Sequence, residues 1–316
     1  MVISMKIRLG YVALPVSIPI TSSKTITVTN YKKLGKRRGE EKRCKILEEN
    51  LTSFLEILKY NEANSIHFYR MTSHLVPLLT YRDSYHNILI KYKKKLSEIG
   101  NYIKVKNMRV DMHPDQFLVL NSINESVVTS TINALNDYYQ LMQKLDLKTN
   151  IILHIGSSQQ GKNEAMKRFT NNFNQLPKKV KELITIENDD KIFNIRNTLS
   201  LAKKLQIPMV LDYHHFLVNR NNEKIEDYIE SIFKTWKTTP KIHFSSPKNK
   251  KEKRSHHDYI DSDTFIDFIE KIKFCNIDFD VMIEAKQKDE ALFRLVRELK
   301  YKTNYQFLDE TTFLVE

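Results

Sequence analysis

The chain is poor in cysteine and has no long apolar run, and both shortages exclude classes of protein. Its two cysteines, Cys44 and Cys275, lie far apart and lack the spacing of a metal site. We therefore expect no disulfide framework and a reducing, cytoplasmic setting. No apolar stretch approaches the length of a membrane span, so we expect no membrane association. The opening residues, MVISMKIRLGYV, are too short and too quickly structured for a signal peptide.

Glycine is also scarce, with 6 residues in 316. An open nucleotide-binding sheet would need a glycine-rich phosphate loop after its first strand, and the segment GYVALPVSIPIT offers none. The sequence has no low-complexity stretch and no linker that would argue for a second domain.

What the chain has in excess is positive charge, with a formal net charge of +13. This excess fits either a soluble protein from a lysine-rich, AT-rich genome or a protein that binds a polyanion such as nucleic acid. Two basic runs, at 32–43 and 247–254, follow predicted strands. In a barrel of parallel strands, both runs would fall on the mouth formed by the carboxyl ends of the strands.

Eight strand-like segments alternate with amphipathic segments of helical spacing. This alternation predicts parallel strands joined by right-handed crossovers, and eight units favour a closed (β/α)8 TIM barrel. We predict a single domain over residues 1–316, with a core at about 6–300 and a loose tail at about 301–316. The predicted strands lie at about 6–12, 64–69, 107–113, 150–155, 183–187, 208–213, 240–244 and 279–284.

Six of these segments end in a residue type that binds metals. A histidine in an apolar strand is more often a buried core residue, but a carboxylate directly after a buried run is costly unless it is paired or bound to a metal. Because the strand ends of a barrel meet at one mouth, the repetition predicts a metal cluster there. The strand-end residues are His113, His154, Glu187, Asp212, His243 and Glu284.

The number of these ligands exceeds what one ion needs if that ion also holds substrate. The sequence therefore predicts two or three divalent ions, a common arrangement for phosphoester hydrolysis by a metal-activated water. Neither cysteine, nor any serine-histidine-aspartate order, suggests a covalent route.

Nine stretches follow one another in order across nearly the whole chain: RLGYV, FYRMTSHLVP, MHPDQF, LHIG, IENDD, LDYHH, WKTTPKIHFSSP, HHDYI and MIEAK. In these stretches and in their order, the sequence resembles the UV damage endonucleases of the UvsE/UVDE type. The resemblance implies a TIM barrel with a cluster of divalent ions that nicks double-stranded DNA immediately 5′ of a UV photoproduct. Pyrimidine dimers and 6-4 photoproducts are the implied lesions, and the implied products carry a 3′-hydroxyl and a 5′-phosphate.

The resemblance also implies a ligand set and a catalytic set. Manganese is the implied metal, with zinc, magnesium or cobalt as alternatives, and Lys241 matches a lysine that can be carboxylated. His214 is the alternative to His215, and His257 is the alternative to His256. The implied ligands are His113, His154, Glu187, Asp212, His215, His243, His256 and Glu284; the implied catalytic residues are Glu187, Lys241, His243 and Glu284.

Five further residues are implied to contact the lesion. Gln116 and Phe117 match a probing pair, in which an aromatic ring fills the gap left by turned-out bases and an amide pairs with the orphaned bases. Tyr11 matches a second stacking residue, and Arg70 and His74 match a substrate-facing strand end. The alternatives are a core position for Phe117 and a structural salt bridge inside the barrel for Arg70.

Other functions stay open on the sequence. A sugar isomerase or epimerase of the xylose isomerase kind, or an AP endonuclease of the endonuclease IV kind, would share the barrel and the strand-end ligands. A nucleic-acid-binding barrel without catalysis would not need so many ligands. We expect a monomer with no obligate protein partner, which associates with the nucleoid when it acts on DNA.

Overall fold

A computed structural model describes residues 4–81 and 88–316, so residues 1–3 and 82–87 of the predicted domain lie outside the described part. Eight parallel strands follow one another around a ring from β2 to β8, then to β1, and β1 also pairs with β2. The ring is therefore closed, and the predicted (β/α)8 barrel is confirmed. The strands are β1 (Met5–Val12), β2 (Phe68–Met71), β3 (Arg109–Met112), β4 (Ile151–His154), β5 (Ile184–Glu187), β6 (Met209–Asp212), β7 (Lys241–Phe244), β8 (Phe279–Ile283), β9 (Gln306–Phe307) and β10 (Thr312–Val315).

Helices connect the strands and cover the outside of the ring. Several begin at side chains that accept a hydrogen bond from the first helical turn, including Thr27, Asn124 and Asn194. Short 3-10 turns lie at Ile225–Asp227 and Lys273–Cys275. The helices are α1 (Val28–Ala63), α2 (Ile88–Lys91), α3 (Lys93–Val105), α4 (Glu125–Leu145), α5 (Lys162–Gln175), α6 (Lys178–Lys181), α7 (Ile195–Leu205), α8 (Tyr213–Val218), α9 (Ile229–Phe233), α10 (Ser262–Ile272) and α11 (Lys288–Lys302). No described helix is both long and apolar enough to cross a membrane.

The apolar core lies mainly between the strands and the helices. Alternate residues of each strand face outward into this layer, as Ile7, Leu9 and Tyr11 do on β1. The intervening residues face into the ring. On β3 these inward positions are Arg109, Asp111 and then His113 just past the strand end, so the ring interior is charged rather than apolar on this side.

The second strand begins later than predicted, at Phe68 instead of residue 64. Residues 64–67 form the turn after α1, in which the backbone N–H of Asn64 still bonds to the last helical carbonyls. Of residues 64–67 only Ile66 is apolar, and Asn64 and Ser65 favour turns, so the prediction extended the strand too far toward the N-terminus.

The C-terminal segment is a strand and not the predicted loose tail. β10 pairs antiparallel with the first half of β1, with Met5 opposite Val315 and Arg8 opposite Thr312. Phe313 is buried in the main core, which explains why this segment is fixed. The assignment of the chain to one domain remains a prediction.

Candidate metal centre

The ends of strands β3 to β8 bring the six predicted strand-end residues together at the mouth of the barrel. Their potential ligand atoms form two groups, and within each group all of these atoms lie within 4.8 Å of one another. One group is His113, His154 and Glu187; the other is Glu187, Asp212, His243 and Glu284.

Glu187 belongs to both groups because its two oxygens point in different directions. Its Oε2 lies 3.1 Å from Nε2 of His113 and 3.9 Å from Nε2 of His154, while its Oε1 lies 2.8 Å from Nδ1 of His243. The carboxylate is buried at the end of β5. This carboxylate could therefore supply one oxygen to each of the two ligand groups, and two-metal sites are a common arrangement in phosphoester hydrolysis.

Three polar atoms of the cluster are buried and have no hydrogen-bond partner among the described residues: Oδ2 of Asp212, Nδ1 of His154 and Nε2 of His243. The other oxygen of Asp212 accepts a hydrogen bond from the backbone N–H of His215 at the start of α8. A buried polar atom without a partner costs on the order of 1–3 kcal/mol. Since imidazole and carboxylate are ligands of divalent transition metals, these residues fit a metal cluster.

Two histidines are also oriented by backbone carbonyls. Nδ1 of His113 lies 2.9 Å from the carbonyl of Pro114, and Nδ1 of His215 lies 3.0 Å from the carbonyl of Asn188. An Nδ1–H that donates to a carbonyl leaves Nε2 free to bind a metal, which is the usual arrangement around metal-binding histidines.

The structure distinguishes between the alternative histidines by distance. Nδ1 of His215 lies 3.5 Å from Asp212 and 3.9 Å from Glu187, and no comparable contact to a carboxylate of the cluster is found for His214 within the described part of the chain. The ring of His256 lies 5.5 Å from that of His214 and 6.5 Å from that of His215, and Glu284 is close enough to oppose the lowering of the His256 pKa by burial. His257 is exposed and contacts the backbone of Tyr259. His215 and His256 thus lie near the cluster but outside its two groups, and their role as ligands stays a prediction.

The carboxylates of the cluster differ in their electrostatic state. Burial alone would raise the pKa of Glu187, but the imidazoles of His243 and His113 hold the pKa well below its usual value. Burial raises the pKa of Asp212 well above its usual value, and the charges of Glu187 and Glu284 add to this effect. The carboxylates of the cluster thus repel one another, and a bound cation would relieve this repulsion.

Lys241 lies two residues before His243 and one layer deeper in the ring. Its Nζ is fully buried, 2.5 Å from Oδ2 of Asp111. Burial lowers the pKa of Lys241 to about 8, although Asp111 opposes the effect. This contact favours an unmodified ammonium that is the charge partner of Asp111, because a carboxylated lysine would place a second negative charge beside Asp111.

The predicted lesion-probing pair lies on the loop after β3. Gln116 and Phe117 are exposed, and 77% of Phe117 is accessible to solvent. Phe117 is therefore not a core residue. His74, in the loop after β2, is also exposed, with Nε2 3.7 Å from Asp115 of the same loop as Phe117.

One of the predicted lesion contacts must be corrected, and a second has a partner inside the ring. Tyr11 is fully buried between β1 and α1, where its hydroxyl donates to Asn61 at 2.8 Å, so the prediction that it stacks on the lesion is wrong for this arrangement. Arg70 points into the ring and bonds to Glu284 at 2.6 Å. It therefore forms the structural salt bridge inside the barrel that was the alternative, and its contact to the lesion stays a prediction.

Sequence reasoning missed two residues near the cluster. Asp111 carries the ion pair with Lys241, and its position two residues before His113 would have placed it inside the ring. Lys288, after β8, has a left-handed backbone (φ 46°) and lies close enough to Arg70 and Glu284 for both to affect its pKa, which burial lowers. Within the described residues its ammonium has no ion-pair partner, and no motif in the sequence pointed to it.

Comparison with known proteins identifies the family. The family described as UV-endonuclease UvdE matches residues 7–310. The chain belongs to the UV-endonuclease UvdE family. A UV DNA damage endonuclease of Bacillus cereus (strain B4264) is 37% identical over 301 residues, which cover 93% of this chain and 95% of that protein. A UV DNA damage endonuclease of Bacillus anthracis is 36% identical with the same coverage.

Solved structures agree with this assignment to the UvdE family. The crystal structure of SacUVDE is similar with a TM-score of 0.86 and 31% identity, covering 93% of this chain and 98% of that chain. Endonuclease IV from Thermus thermophilus has a TM-score of 0.56 at 11% identity, and D-psicose 3-epimerase from Clostridium cellulolyticum H10 has 0.52 at 9%. These two share the fold alone, so the isomerase and endonuclease IV alternatives have no support beyond the barrel that this UvdE family member shares with them.

Proposed function

We propose that this UvdE family member cleaves a phosphodiester bond of double-stranded DNA immediately 5′ of a UV photoproduct, in a reaction that depends on divalent metal ions. The products would carry a 3′-hydroxyl and a 5′-phosphate. The observation that carries the proposal is the meeting of two ligand groups at Glu187, at the mouth of the barrel, in a chain of this family.

The strand-end residues would hold the metal ions. His113 and His154 would serve one side of Glu187, and Asp212, His243 and Glu284 the other; His215 and His256 would complete the cluster from its edge. Divalent ions, of which manganese is our first choice, would activate a water, polarise the phosphate and stabilise the leaving 3′-oxygen.

Other residues of the chain would orient the ligands and attract the phosphate. The pair of Lys241 with Asp111 lies directly beneath His243 and would fix the floor of the site. Arg70 holds Glu284 at 2.6 Å and thereby orients this ligand. Lys288, which has a partly buried ammonium beside Arg70 and Glu284, would add positive charge for the phosphate.

Lesion recognition would come from the loop after β3. Phe117 would enter the helix where damaged bases are turned out, and Gln116 would pair with the orphaned bases. Both are exposed close to the ligand His113, so a lesion held by this loop would lie near the metal centre.

The direct test is incubation of the purified protein with manganese on UV-irradiated and untreated supercoiled plasmid. We expect nicked plasmid from the irradiated sample alone. Equal nicking of both samples, or none of either with several metals supplied, would contradict the proposal.

A further inference from the structure

Helix α1 is much longer than is needed to connect β1 with β2. It spans 36 residues, and its buried face contacts the barrel at two heights along the barrel axis. Near its C-terminal end, Asn61 bonds to Tyr11 of β1, whereas Asn50 bonds to the carbonyl of Leu75 at 3.1 Å and Arg43 bonds to that of Pro77 at 2.8 Å. Leu75 and Pro77 belong to the loop after β2, at the mouth. The part of α1 before Arg43 therefore lies beyond the rim of the barrel, on the side where the metal centre opens.

This overhang folds back on itself at Gly35, whose backbone (φ 72°, ψ 164°) is not helical. In an uninterrupted helix, residues nine apart would be about 13.5 Å apart along the axis and on opposite faces. Here the hydroxyl of Tyr31 bonds to the carboxylate of Glu40, and the Tyr31 ring packs on Gly39, where a Cβ would come within 3.0 Å of it. Glu40 also pairs with the buried Arg43 at 3.4 Å. These contacts hold the reversal in place.

Residues 32–38, which we call the basic tip, form the end of this overhang. All seven are exposed, five are lysine or arginine, and none is acidic. Arg37 has a weak contact with Glu41 at 3.6 Å, and Lys32 lies over the ring of Tyr81. Lys33, Lys36 and Arg38 have no ion-pair partner among the residues that the structure describes. Within the described part of the chain, most of the positive charge of the tip is therefore not neutralised, and the contacts of Tyr31 and Glu40 hold its support in place.

We propose that the basic tip binds the sugar-phosphate backbone of double-stranded DNA that flanks the bond to be cut. The choice of DNA as the ligand rests on the proposed function. The contact itself is inferred from the charge and the position of the basic tip. Duplex DNA carries a negative charge about every 1.7 Å along its axis and is surrounded by condensed counterions. A cluster of lysine and arginine side chains that contacts the phosphates releases these counterions, and this release favours binding. Because the contact is to phosphates, it would be independent of sequence and of damage.

The test uses a triple variant of the tip, Lys33→Ala/Lys36→Ala/Arg38→Ala, against a matched control. The control, Lys178→Ala/Lys179→Ala/Lys203→Ala, removes the same charge from exposed lysines of α6 and α7 that precede β5 and β6 and so lie at the opposite end of the barrel. Binding of an undamaged duplex of about 30 base pairs, long enough to extend well beyond one helical turn, is measured by fluorescence anisotropy at several salt concentrations, without added metal. We expect the tip variant to bind at least about tenfold more weakly at about 0.1 M salt. We also expect the slope of log K against log salt to be smaller in magnitude by about two to three. Each phosphate contact that is lost should reduce the slope by about 0.9.

Equal weakening in both triple variants would overturn the proposal, since general charge would then explain the effect. Unchanged binding and an unchanged salt slope in the tip variant would also overturn it. The binding measurement does not need cleavage, so failure of the wild-type protein to nick irradiated plasmid would count against the proposed function and not against the tip. Since all three side chains are exposed, the melting temperature of the tip variant should be unchanged. If it falls, the single variants Lys33→Ala and Lys36→Gln are used instead. A normal affinity and a normal salt slope in both single variants would overturn the proposal.

Discussion

Replacing Phe117 by alanine should separate damage recognition from chemistry. Phe117 follows His113 by four residues on the loop after β3, and it is 77% exposed, so its ring buries little surface in the free protein. Its loss should change the free energy of unfolding by no more than about 0.5 kcal/mol. Stacking of a base on an aromatic side chain contributes about 1–3 kcal/mol. Phe117→Ala should therefore weaken binding of lesion-containing duplex roughly tenfold to a hundredfold.

The assay compares the affinities of Phe117→Ala for lesion-containing and intact duplexes at one salt concentration, without added metal. Affinity for the intact duplex should hardly change, because that binding comes from lysine and arginine contacts to phosphates. Metal content should also stay the same, since no proposed ligand is touched. Phe117→Tyr keeps the ring and should bind like the wild type.

Phe274→Ala is a matched control for the loss of an exposed ring. Phe274 is 58% exposed and lies in the turn before β8, at the end of the barrel away from the mouth. It should bind both duplexes normally. The reasoning is refuted if Phe117→Ala lowers both affinities equally or unfolds the protein.

Three further results should follow. Glu187→Gln keeps the size of the side chain but removes the charge shared by both ligand groups, so nicking and metal content should fall. Circular dichroism should show an intact fold. If the variant nicks DNA as fast as the wild type, Glu187 is not part of the site. Asp111→Asn leaves the buried Lys241 without its carboxylate and should lower the free energy of unfolding by about 3–5 kcal/mol, measured with denaturant. Glu56→Gln removes an exposed pair with Lys59 and should lower it by less than about 1 kcal/mol. Equal destabilisation by the two variants would contradict this account. Chelation should abolish nicking and added manganese should restore it; activity that survives exhaustive chelation would argue against metal dependence.

The barrel and the convergence of its strand ends could be predicted because each strand carries its own signal. A histidine or carboxylate directly after an apolar run, as in His154 and Glu187, is a local pattern. Parallel topology then turns six local patterns into one site without knowledge of any contact.

The errors concern the direction in which side chains point and their distant partners. Tyr11 lies on β1, where four consecutive residues are buried, so alternation does not show in the sequence and its outward direction could not be deduced. The partner of Arg70 is Glu284, 214 positions away, and no local pattern links two positions so far apart. Asp111 was missed for the same reason, because its partner Lys241 lies 130 positions later.

The position of β1 has a consequence for how the protein reaches its native state. β1 is made first, yet it pairs with β8 and β10, and its Arg8 bonds to Asp280, which lies 272 positions later. Until β8 and β10 are in place, both partners of the first half of β1 are missing, and an unpaired apolar edge is exposed to other chains. Contacts of such high sequence separation predict slow ring closure and a tendency to aggregate during refolding. Low temperature and low protein concentration should therefore raise the yield of native enzyme.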